Sequence, residues 1–347
     1  MVLRADAGPG IGVGHLFRCL ALGQAWLDAG GHVIVVTATR ERAHLARLRR
    51  EGFETRRIKA IFPDPSDVRG ITPILAARPG AWVVVDGYPF DGEYHAQVLE
   101  AGGRLAVIDD TAHLPRYDVH VVVNQNLHAT ERLYVRGSRT RLLLGPRYAL
   151  LRREFRKFRR PEKPAPRIGR LLLITMGGSD PQDETRTAIR AVAEVRSADL
   201  ETVVLLGPSN ARRHALSREA VRLRVPVRFL SAATDVARHM ARAHVAIAAS
   251  GSTSWELACM GVPFIAVAVA ENQRPIGESL GRAGVARYAG WHEDVTVVDM
   301  AKELRTLLPN VRVRQEMSER GRRLVDGLGA ARVVDILKAW PKYPVAD

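Results

Sequence analysis

The sequence predicts an α/β protein made of two Rossmann-like domains that face each other across a cleft. Its 347 residues suit two domains, each large enough to bury its own core. Short apolar runs alternate with helical patterns along the chain, as in βαβ units with parallel sheets. A connection containing Pro161, Pro164 and Pro166 interrupts this alternation. We therefore expect residues 1–160 to form the first domain and residues 161–347 the second, with the final helix able to cross back.

Strands and helices are expected in the same order in both halves. In the first half, strands are predicted near residues 1–6, 33–37, 82–86, 105–109 and 119–123, with helices near 16–29 and 94–101. In the second half, strands are predicted near residues 171–176, 201–206, 227–230, 245–249 and 264–269, with helices near 185–195 and 255–260. Ligands of such sheets bind beyond the carboxyl ends of the strands, so the informative residues should lie in strand-to-helix loops.

Composition excludes several classes of protein. The apolar and charged fractions, 46% and 26%, are those of an ordered globular chain. Cys19 and Cys259 lie in apolar, helix-like stretches, so a disulfide framework is not expected and a reducing compartment is. The sequence has no metal-binding motif, no signal-peptide pattern and no apolar run near the ~18 residues of a membrane span. We expect a cytoplasmic monomer with no metal and no cofactor.

The net charge of +15 is concentrated in one segment. Residues 131–170 contain fourteen Arg or Lys and only three Glu. This segment is either a surface for anionic lipid or nucleic acid, or a solvated linker. Aromatic residues do not alternate with these basic residues, as binding to single-stranded nucleic acid would favour. We expect this segment to be a solvated linker. We expect no nucleic-acid partner, no integral membrane association and at most a weak peripheral contact with a membrane.

The first strand leads into a glycine-rich loop, residues 6–15. Its four glycines let the backbone approach a ligand, and the helix that follows offers unpaired N–H groups to an anion. A dinucleotide fingerprint is disfavoured because residue 17, where its third glycine would stand, is Phe17. His15 stands at the start of the helix, where the helix dipole favours a neutral imidazole that can act as a base. Capping the helix or orienting a ligand is the alternative role for His15.

Two loops in the second half have the composition of a diphosphate site. Each loop combines small hydroxyl residues with glycines at the start of a helix. This combination supplies side-chain and backbone hydrogen-bond donors in one place. The candidate ligand-binding residues are Gly177, Gly178 and Ser179 in one loop, and Ser250, Gly251, Ser252, Thr253 and Ser254 in the other. Glu256 follows within one turn and could accept hydrogen bonds from ribose hydroxyls. An ordinary helix cap with an acidic first turn is the alternative.

A third loop of the second half, residues 270–275, contains Asn272 and Gln273. Side-chain amides both donate and accept hydrogen bonds, which suits the hydroxyl and acetamido groups of a sugar. Alternatively, these residues form only a turn before a helix and bind no ligand.

Together these motifs resemble the nucleotide-sugar hydrolases of pseudaminic acid biosynthesis. The likeness covers nearly the whole chain in order. Its motifs here are Arg4-x-Asp6, Gly12-x-Gly14-His15-x-x-Arg18-Cys19, Asp86-x-Tyr88, Ile108-Asp109-Asp110, Asn124-Gln125-Asn126, Leu144-Gly145-Pro146-Arg147-Tyr148, Gly177-Gly178-Ser179-Asp180-Pro181, Gly251-Ser252-Thr253-Ser254-Trp255-Glu256, Asn272-Gln273 and Asp326-Gly327-x-Gly329-Ala330. One departure is Pro9-Gly10, where the family more often has small polar residues, which bears on sugar specificity.

The resemblance implies the GT-B glycosyltransferase fold with water as the acceptor. The implied substrate is UDP-2,4-diacetamido-2,4,6-trideoxy-β-L-altropyranose or a close relative. The implied reaction is metal-independent and releases UDP and the free sugar with inversion, since no second carboxylate is evident as a nucleophile. By resemblance, the catalytic residues are His15, Tyr88 and Asn272. The implied substrate-binding residues are Asp6, Gly12, Gly14, Arg18, Asp109, Arg147 and Gln273, together with the two diphosphate loops and Glu256.

Three other functions remain open. A GT-B glycosyltransferase would use the same donor site and move the sugar to a lipid or small-molecule acceptor. A non-catalytic nucleotide-sugar binding protein would bind tightly without turnover. A nucleic-acid binder has only the net charge in its favour.

Overall fold

The computed structural model describes residues 1–8, 10–159, 165–178, 180–197, 199–207, 210–231 and 235–341. The chain divides into two compact units, Met1–Arg153 with Gly327–Asp347, and Glu154–Asp326. The sequence puts one boundary at residue 160, whereas the chain passes into the second unit after Arg153 and returns to the first at Gly327. Arg159 explains the earlier crossing, because its guanidinium donates to the carbonyls of Cys259 (3.2 Å) and Arg322 (3.1 Å) within the second unit.

The first unit is a parallel sheet flanked by helices. Its strands are β1 (Val2–Ala5), β2 (Ile34–Thr37), β3 (Glu54–Arg57), β4 (Trp82–Asp86), β5 (Arg104–Ile108), β6 (Val121–Asn124) and β7 (Arg141–Leu144). Its helices are α1 (Gly14–Asp28), α2 (Arg42–Arg50), α3 (Ser66–Ala77) and α4 (Gly92–Glu100), with 3-10 turns at Glu131–Leu133 and Pro146–Tyr148. The strand order is β3-β2-β1-β4-β5-β6-β7. Central strands such as β4 are buried on both faces, as parallel sheets require.

The described part of the second unit repeats this plan with six parallel strands. They are β8 (Leu171–Thr175), β9 (Glu201–Leu206), β10 (Val227–Ser231), β11 (Val245–Ala249), β12 (Phe264–Ala268) and β13 (Ala286–Trp291), in the order β10-β9-β8-β11-β12-β13. The helices are α5 (Arg153–Phe158), which begins at the boundary residue, α6 (Glu184–Val195), α7 (Arg213–Arg222), α8 (Val236–Met240), α9 (Thr253–Met260), α10 (Arg274–Arg282), α11 (Val297–Leu307) and α12 (Val311–Leu324), with 3-10 turns at Glu271–Gln273 and His292–Asp294. Two parallel α/β sheets confirm the predicted class of two Rossmann-like domains.

The last helix, α13 (Gly329–Lys338), belongs to the first unit. Val333 and Leu337 are buried in the same core cluster as Leu16 and Leu20 of α1. The indole N–H of Trp82 donates to the carbonyl of Leu337 (2.9 Å). The end of the chain therefore completes the core of the unit that contains its beginning.

Several arginines of the basic segment are engaged inside their own units. Arg152 is buried with its guanidinium 4.8 Å from the centre of the Phe17 ring. Arg153 pairs with Asp28 (3.4 Å), and Phe155 of α5 is fully buried. These contacts account for part of the positive charge without a partner molecule. Within the described ranges, no helix combines the length and apolar character needed to cross a bilayer.

Shortening Leu337 to alanine tests the structural role of α13. We expect Leu337→Ala to lower the free energy of unfolding by about 2–5 kcal/mol, because it opens a cavity in a closed core. Leu133→Ala is the matched control in the same unit, and its side chain is already 47% exposed. Leu133→Ala should lower the free energy of unfolding by less than about 1 kcal/mol. Urea unfolding measures both, and equal losses would contradict a core role for α13.

Candidate functional site

The predicted residues of the first unit gather where the strand order reverses. The chain adds β2 and β3 on one side of β1 and then crosses to β4 on the other side. The loops after β1 and β4 therefore leave the sheet side by side, at the position where open α/β sheets bind ligands. The glycine-rich loop and His15 follow β1, and Tyr88 follows β4.

His15, the second residue of α1, is held by a buried carboxylate. Its Nδ1 lies 2.6 Å from Oδ1 of Asp86, the last residue of β4. The side chain of Asp86 is fully buried, and that of His15 is 11% exposed. The sequence motifs include Asp86, but only the fold brings it to His15, 71 residues earlier.

The partner of Nδ1 fixes the imidazole tautomer. Burial alone would raise the pKa of Asp86, but Arg18 and His15 hold the pKa below its ordinary value, so Asp86 is a carboxylate that only accepts hydrogen bonds. Nδ1 must therefore donate to it. Arg18 Nη2 is 3.0 Å from the same nitrogen, a close contact that cannot also be a hydrogen bond. Among the described residues none hydrogen-bonds Nε2, so Nε2 is the nitrogen that can accept a proton in the neutral tautomer.

Arg18 connects two buried carboxylates one turn further along α1. Its Nε and Nη2 donate to the two oxygens of Asp86 at 2.9 and 2.7 Å. Its Nη1 donates to Asp110, which also accepts from the side-chain amide of Asn126 (3.0 Å). Burial opposes the charge of Arg18, but the two carboxylates keep its pKa well above the ordinary value. Arg18, predicted to bind substrate, thus donates two hydrogen bonds to Asp86 and one to Asp110.

Tyr88 lies beside His15 at the same reversal point. The two rings meet edge to face with centroids 5.2 Å apart, and Tyr88 is 44% exposed. Gly12, with φ +77°, hydrogen-bonds Gly8 in both directions across the loop. Gly14 is the first residue of α1. An exposed phenol, an imidazole and the start of a helix thus lie together at the carboxyl ends of β1 and β4.

Three other predicted residues of this unit have structural partners. Asp6 accepts from the backbone of Ala38 (2.6 Å) and pairs with Arg4 (2.8 Å). Asp109 accepts from the amides of the loop that follows it. Arg147 is exposed after the edge strand β7, and its carbonyl accepts from the guanidinium of Arg332 (3.0 Å). Asp6 and Asp109 stabilise the walls of the site, and Arg147 lies three strands from β4.

The second unit shows the same reversal between β8 and β11. Gly177, with φ +88°, and Gly178 follow β8, while Ser179 lies outside the described residues. Gly178 closely approaches Gly207, where an added Cβ would lie 1.8 Å from the Gly178 carbonyl oxygen. The carboxylate of Asp180 accepts from the first two amides of α6. Backbone packing and a side-chain cap therefore define the shape of this loop.

The loop after β11 begins α9 with a mixture of open and buried hydroxyls. Ser252 is the N-cap residue and Thr253 the first helical residue, and both are partly exposed. Ser250 and Ser254 are fully buried, and their hydroxyls have no partner among the described residues. Glu256 is partly exposed in the first turn. Backbone amides, Ser252 and Thr253 are the groups of this loop that can reach a ligand directly.

Gln273 links the third predicted loop to the second. Its side-chain oxygen accepts from the backbone N–H of Val269 (3.1 Å), just beyond β12. A Cβ added to Gly251 would lie 3.4 Å from the Gln273 amide nitrogen, so the two loops are in contact. Asn272 is partly exposed in the same 3-10 turn. Gly251, Asn272 and Gln273 are thus brought together at neighbouring strand ends.

A buried acid stands next to the loop after β8. Glu184 begins α6 and is 6% exposed, with Oε1 3.7 Å from Nδ1 of His292. Burial, followed by the nearby Asp180, raises the pKa of Glu184 to about 7. The sequence offered no signal for this group, because its burial comes from the packing of α6.

A cavity of about 380 Å³ lies elsewhere in the second unit, where Leu171, Glu201 and Val227 begin their strands. It contains none of the predicted residues, and it lies at the amino-terminal ends of these strands, whereas the predicted loops follow the carboxyl ends. No group of three or more His, Cys, Asp or Glu side chains that could hold a metal ion occurs in the described part of the chain.

The sequence matches no protein-family model. One relative, the spore coat polysaccharide biosynthesis protein SpsG of Bacillus subtilis (strain 168), is 27% identical over 208 residues. The match covers 60% of this chain and 60% of that protein, so the chain spans less than two thirds of the relative's length.

Two solved structures are similar over nearly the whole chain. MurG of Acinetobacter baumannii is 15% identical with a TM-score of 0.67, covering 97% of this chain and 99% of that chain. The UDP-GlcNAc 2-epimerase of Neisseria meningitidis, solved with UDP-GlcNAc, is 12% identical with a TM-score of 0.65, again covering 97% and 99%. At such identities the likeness shows the fold alone. It confirms the predicted GT-B class.

Replacing Arg18 tests the buried ion pairs that hold Asp86. We expect Arg18→Met to lower the free energy of unfolding by about 3–5 kcal/mol, since two carboxylates remain buried without their cation. Arg116→Met removes an exposed partner of Asp118 in the same unit and should leave the free energy of unfolding nearly unchanged. Urea unfolding at pH 7 compares the two. Similar small effects would show that the Arg18 network does not hold the unit together.

Glu184→Gln tests the buried acid. The pKa of about 7 in the folded protein lies above the ordinary 4.5, so the neutral form favours folding. That stabilisation is complete below about pH 4.5 and is lost as pH rises through 7. The variant should therefore be more stable than the wild type by about 1–3 kcal/mol at pH 8, with little difference at pH 5. Glu278→Gln, on the exposed side of α10, is the control, and a pH-independent effect of Glu184→Gln would contradict the burial of a neutral acid.

Proposed function

We propose that this protein hydrolyses a UDP-sugar at the anomeric carbon and releases UDP and the free sugar. The observation that carries the proposal is the His15–Asp86 pair at the reversal point of the first sheet, beside the exposed Tyr88. An imidazole whose Nδ1 is bound to a carboxylate and whose Nε2 is left as an acceptor is equipped to take a proton from water.

In the proposed reaction a water molecule attacks the anomeric carbon while Nε2 of His15 accepts its proton. The new bond joins the water oxygen to that carbon, and the bond from carbon to the β-phosphate oxygen breaks. The electron pair of the broken bond leaves with UDP. Asp86 stabilises the imidazolium that forms, and a single displacement of this kind inverts the configuration. General-base catalysis of this type contributes about 10²–10⁴-fold.

We assign the leaving UDP to the loops of the second unit. The start of α9, with Ser252 and Thr253, supplies hydroxyls and backbone N–H groups to the diphosphate, and the turn at Gly177 and Gly178 supplies further N–H groups. These donors stabilise the negative charge that grows on the diphosphate during the reaction. Glu256 is assigned to the ribose hydroxyls.

For the sugar we propose UDP-2,4-diacetamido-2,4,6-trideoxy-β-L-altropyranose or a close relative, on the path to nonulosonic acids such as pseudaminic acid. The support is the ordered set of motifs that this chain shares with the hydrolases of that pathway. Asn272, partly exposed beside Gln273, offers an amide to an acetamido group. The name of the SpsG relative, a spore coat polysaccharide biosynthesis protein, agrees with a role in polysaccharide biosynthesis.

A glycosyltransferase is the second candidate, favoured by a fold similar to that of CalG4, the calicheamicin glycosyltransferase (15% identity, TM-score 0.65). It would use the same donor residues, and His15 would then activate an acceptor hydroxyl instead of water.

Incubation with a panel of UDP-sugars, without an added acceptor, tests the proposal. Phosphorus NMR detects UDP and proton NMR detects the sugar. Hydrolysis predicts UDP and free sugar in equal amounts. Release of UDP only after an acceptor is added would replace the hydrolase by the transferase, and binding without turnover would indicate a nucleotide-sugar binding protein.

His15→Asn should reduce kcat by at least about 100-fold, because the general base is removed. Affinity for UDP should stay within about threefold, since we assign the nucleotide to other residues. His32→Asn is the control, because that ring is largely exposed beside Glu54. Phosphorus NMR gives the rates and calorimetry the affinities. A His15→Asn variant that keeps more than a tenth of wild-type kcat would contradict the assigned role.

A further inference from the structure

A second histidine in the first unit is bound to a carboxylate next to Tyr88. Nδ1 of His113 lies 3.1 Å from Oδ2 of Asp109, the residue that follows β5. The His113 ring also meets the ring of Tyr88, in the loop after β4, edge to face with centroids 6.0 Å apart. With these two contacts the imidazole bridges the loop after β5 and the loop after β4.

Both ends of this bridge are fixed. The carboxylate of Asp109 accepts from the backbone N–H groups of Thr111 (2.8 Å) and Ala112 (3.0 Å) and from the hydroxyl of Tyr117. The ring of Phe90 is buried against Tyr94, with centroids 4.7 Å apart. The imidazole therefore lies between two loops that are each anchored, at the ends of neighbouring strands.

Tyr88 lies in the loop that this bridge holds. Its ring meets His15 edge to face at 5.2 Å and meets His113 edge to face at 6.0 Å, with interplanar angles of 90° and 82°. The phenol therefore has an imidazole on each of two sides. One of those imidazoles belongs to the proposed base, and the other to the bridge.

We infer that His113 is a positioning residue, which ties the loop after β5 to the loop after β4 and so holds the Tyr88 ring beside His15. Its consequence for sugar binding rests on the proposed function. The bridge itself does not, because it follows from contacts within the first unit.

The groups around His113 make the bridge sensitive to pH. The hydrogen bond to Asp109 raises the pKa of His113 above 6.5, while burial acts against it. The His95 ring on α4 also faces it, but burial lowers the pKa of His95 to about 4, so His95 is neutral near pH 7. The influence of Asp91 on His95 is smaller than that of burial. The charged bridge therefore stabilises the loops fully below pH 6.5 and weakens as pH rises through the His113 pKa.

Carbon NMR of the full chain, labelled with ring-¹³C tyrosine, tests the contact without reference to activity. The chain has seven tyrosines, and the Tyr88 signal is the one missing from Tyr88→Phe. It should shift between pH 5.5 and 8 with a midpoint above 6.5. The shift should persist in His15→Asn and disappear in both His113→Asn and His113→Gln, while the other tyrosine signals report that the variants are folded. A Tyr88 chemical shift that does not change with pH would overturn the inference. A shift that still changes with pH in a folded His113 variant would overturn it too.

A double-mutant cycle tests the consequence for catalysis. If His113 acts through Tyr88, His113→Asn should lower kcat/KM at least about fivefold in the wild type but less than about twofold in Tyr88→Ala. Equal losses in both backgrounds would show that His113 does not act through Tyr88. If no UDP-sugar is turned over at all, the proposed function fails, and the NMR result still decides the positioning role.

Discussion

The first unit depends on a cation buried between two carboxylates. Arg18 reaches from α1 to Asp86 at the end of β4 and to Asp110 just beyond β5. These bonds fix the helix against the two strands whose loops contain Tyr88 and His113. They also keep Asp86 ionised despite its burial, which determines the tautomer of His15. One buried network thus sets both the geometry and the tautomer of the proposed base.

A second constraint comes from the order of the strands. In each unit the chain builds one half of the sheet outward and then crosses to the other side of the first strand. The loops after β1 and β4, and those after β8 and β11, therefore stand side by side. Sequence motifs that are far apart in the chain become neighbours because of this topology alone. Each unit therefore has one reversal point, and predicted site residues lie at both.

The sequence predicted the buried strands better than the edge strands. β3, β7 and β13 were not expected, and each forms an edge of its sheet. The polar sequence Glu-Thr-Arg-Arg of β3 lacks the apolar run that marks a buried strand. The three leucines of β7 form only a short apolar run, and that strand is partly exposed. The helix α13 was expected only as a segment able to cross back, and its return to the first unit comes from packing against α1.

The candidate site was predictable in its loops but not in its internal contacts. His15 and Tyr88 stand out because their motifs follow apolar runs. Their partners could not be paired from sequence, since Asp86 is 71 residues from His15. Burial of individual side chains could not be predicted from the sequence either. The hydroxyls of Ser250 and Ser254 look like ligand donors in the sequence, but both residues are fully buried in the fold.

Hydrolysis in ¹⁸O-labelled water tests the central claim most directly, because it identifies the bond that breaks. Attack at the anomeric carbon predicts that the label enters the released sugar and that UDP carries none, which mass spectrometry of both products measures. Label in the phosphate of the released nucleotide would mean attack at phosphorus. That result would contradict the role assigned to His15 and Asp86.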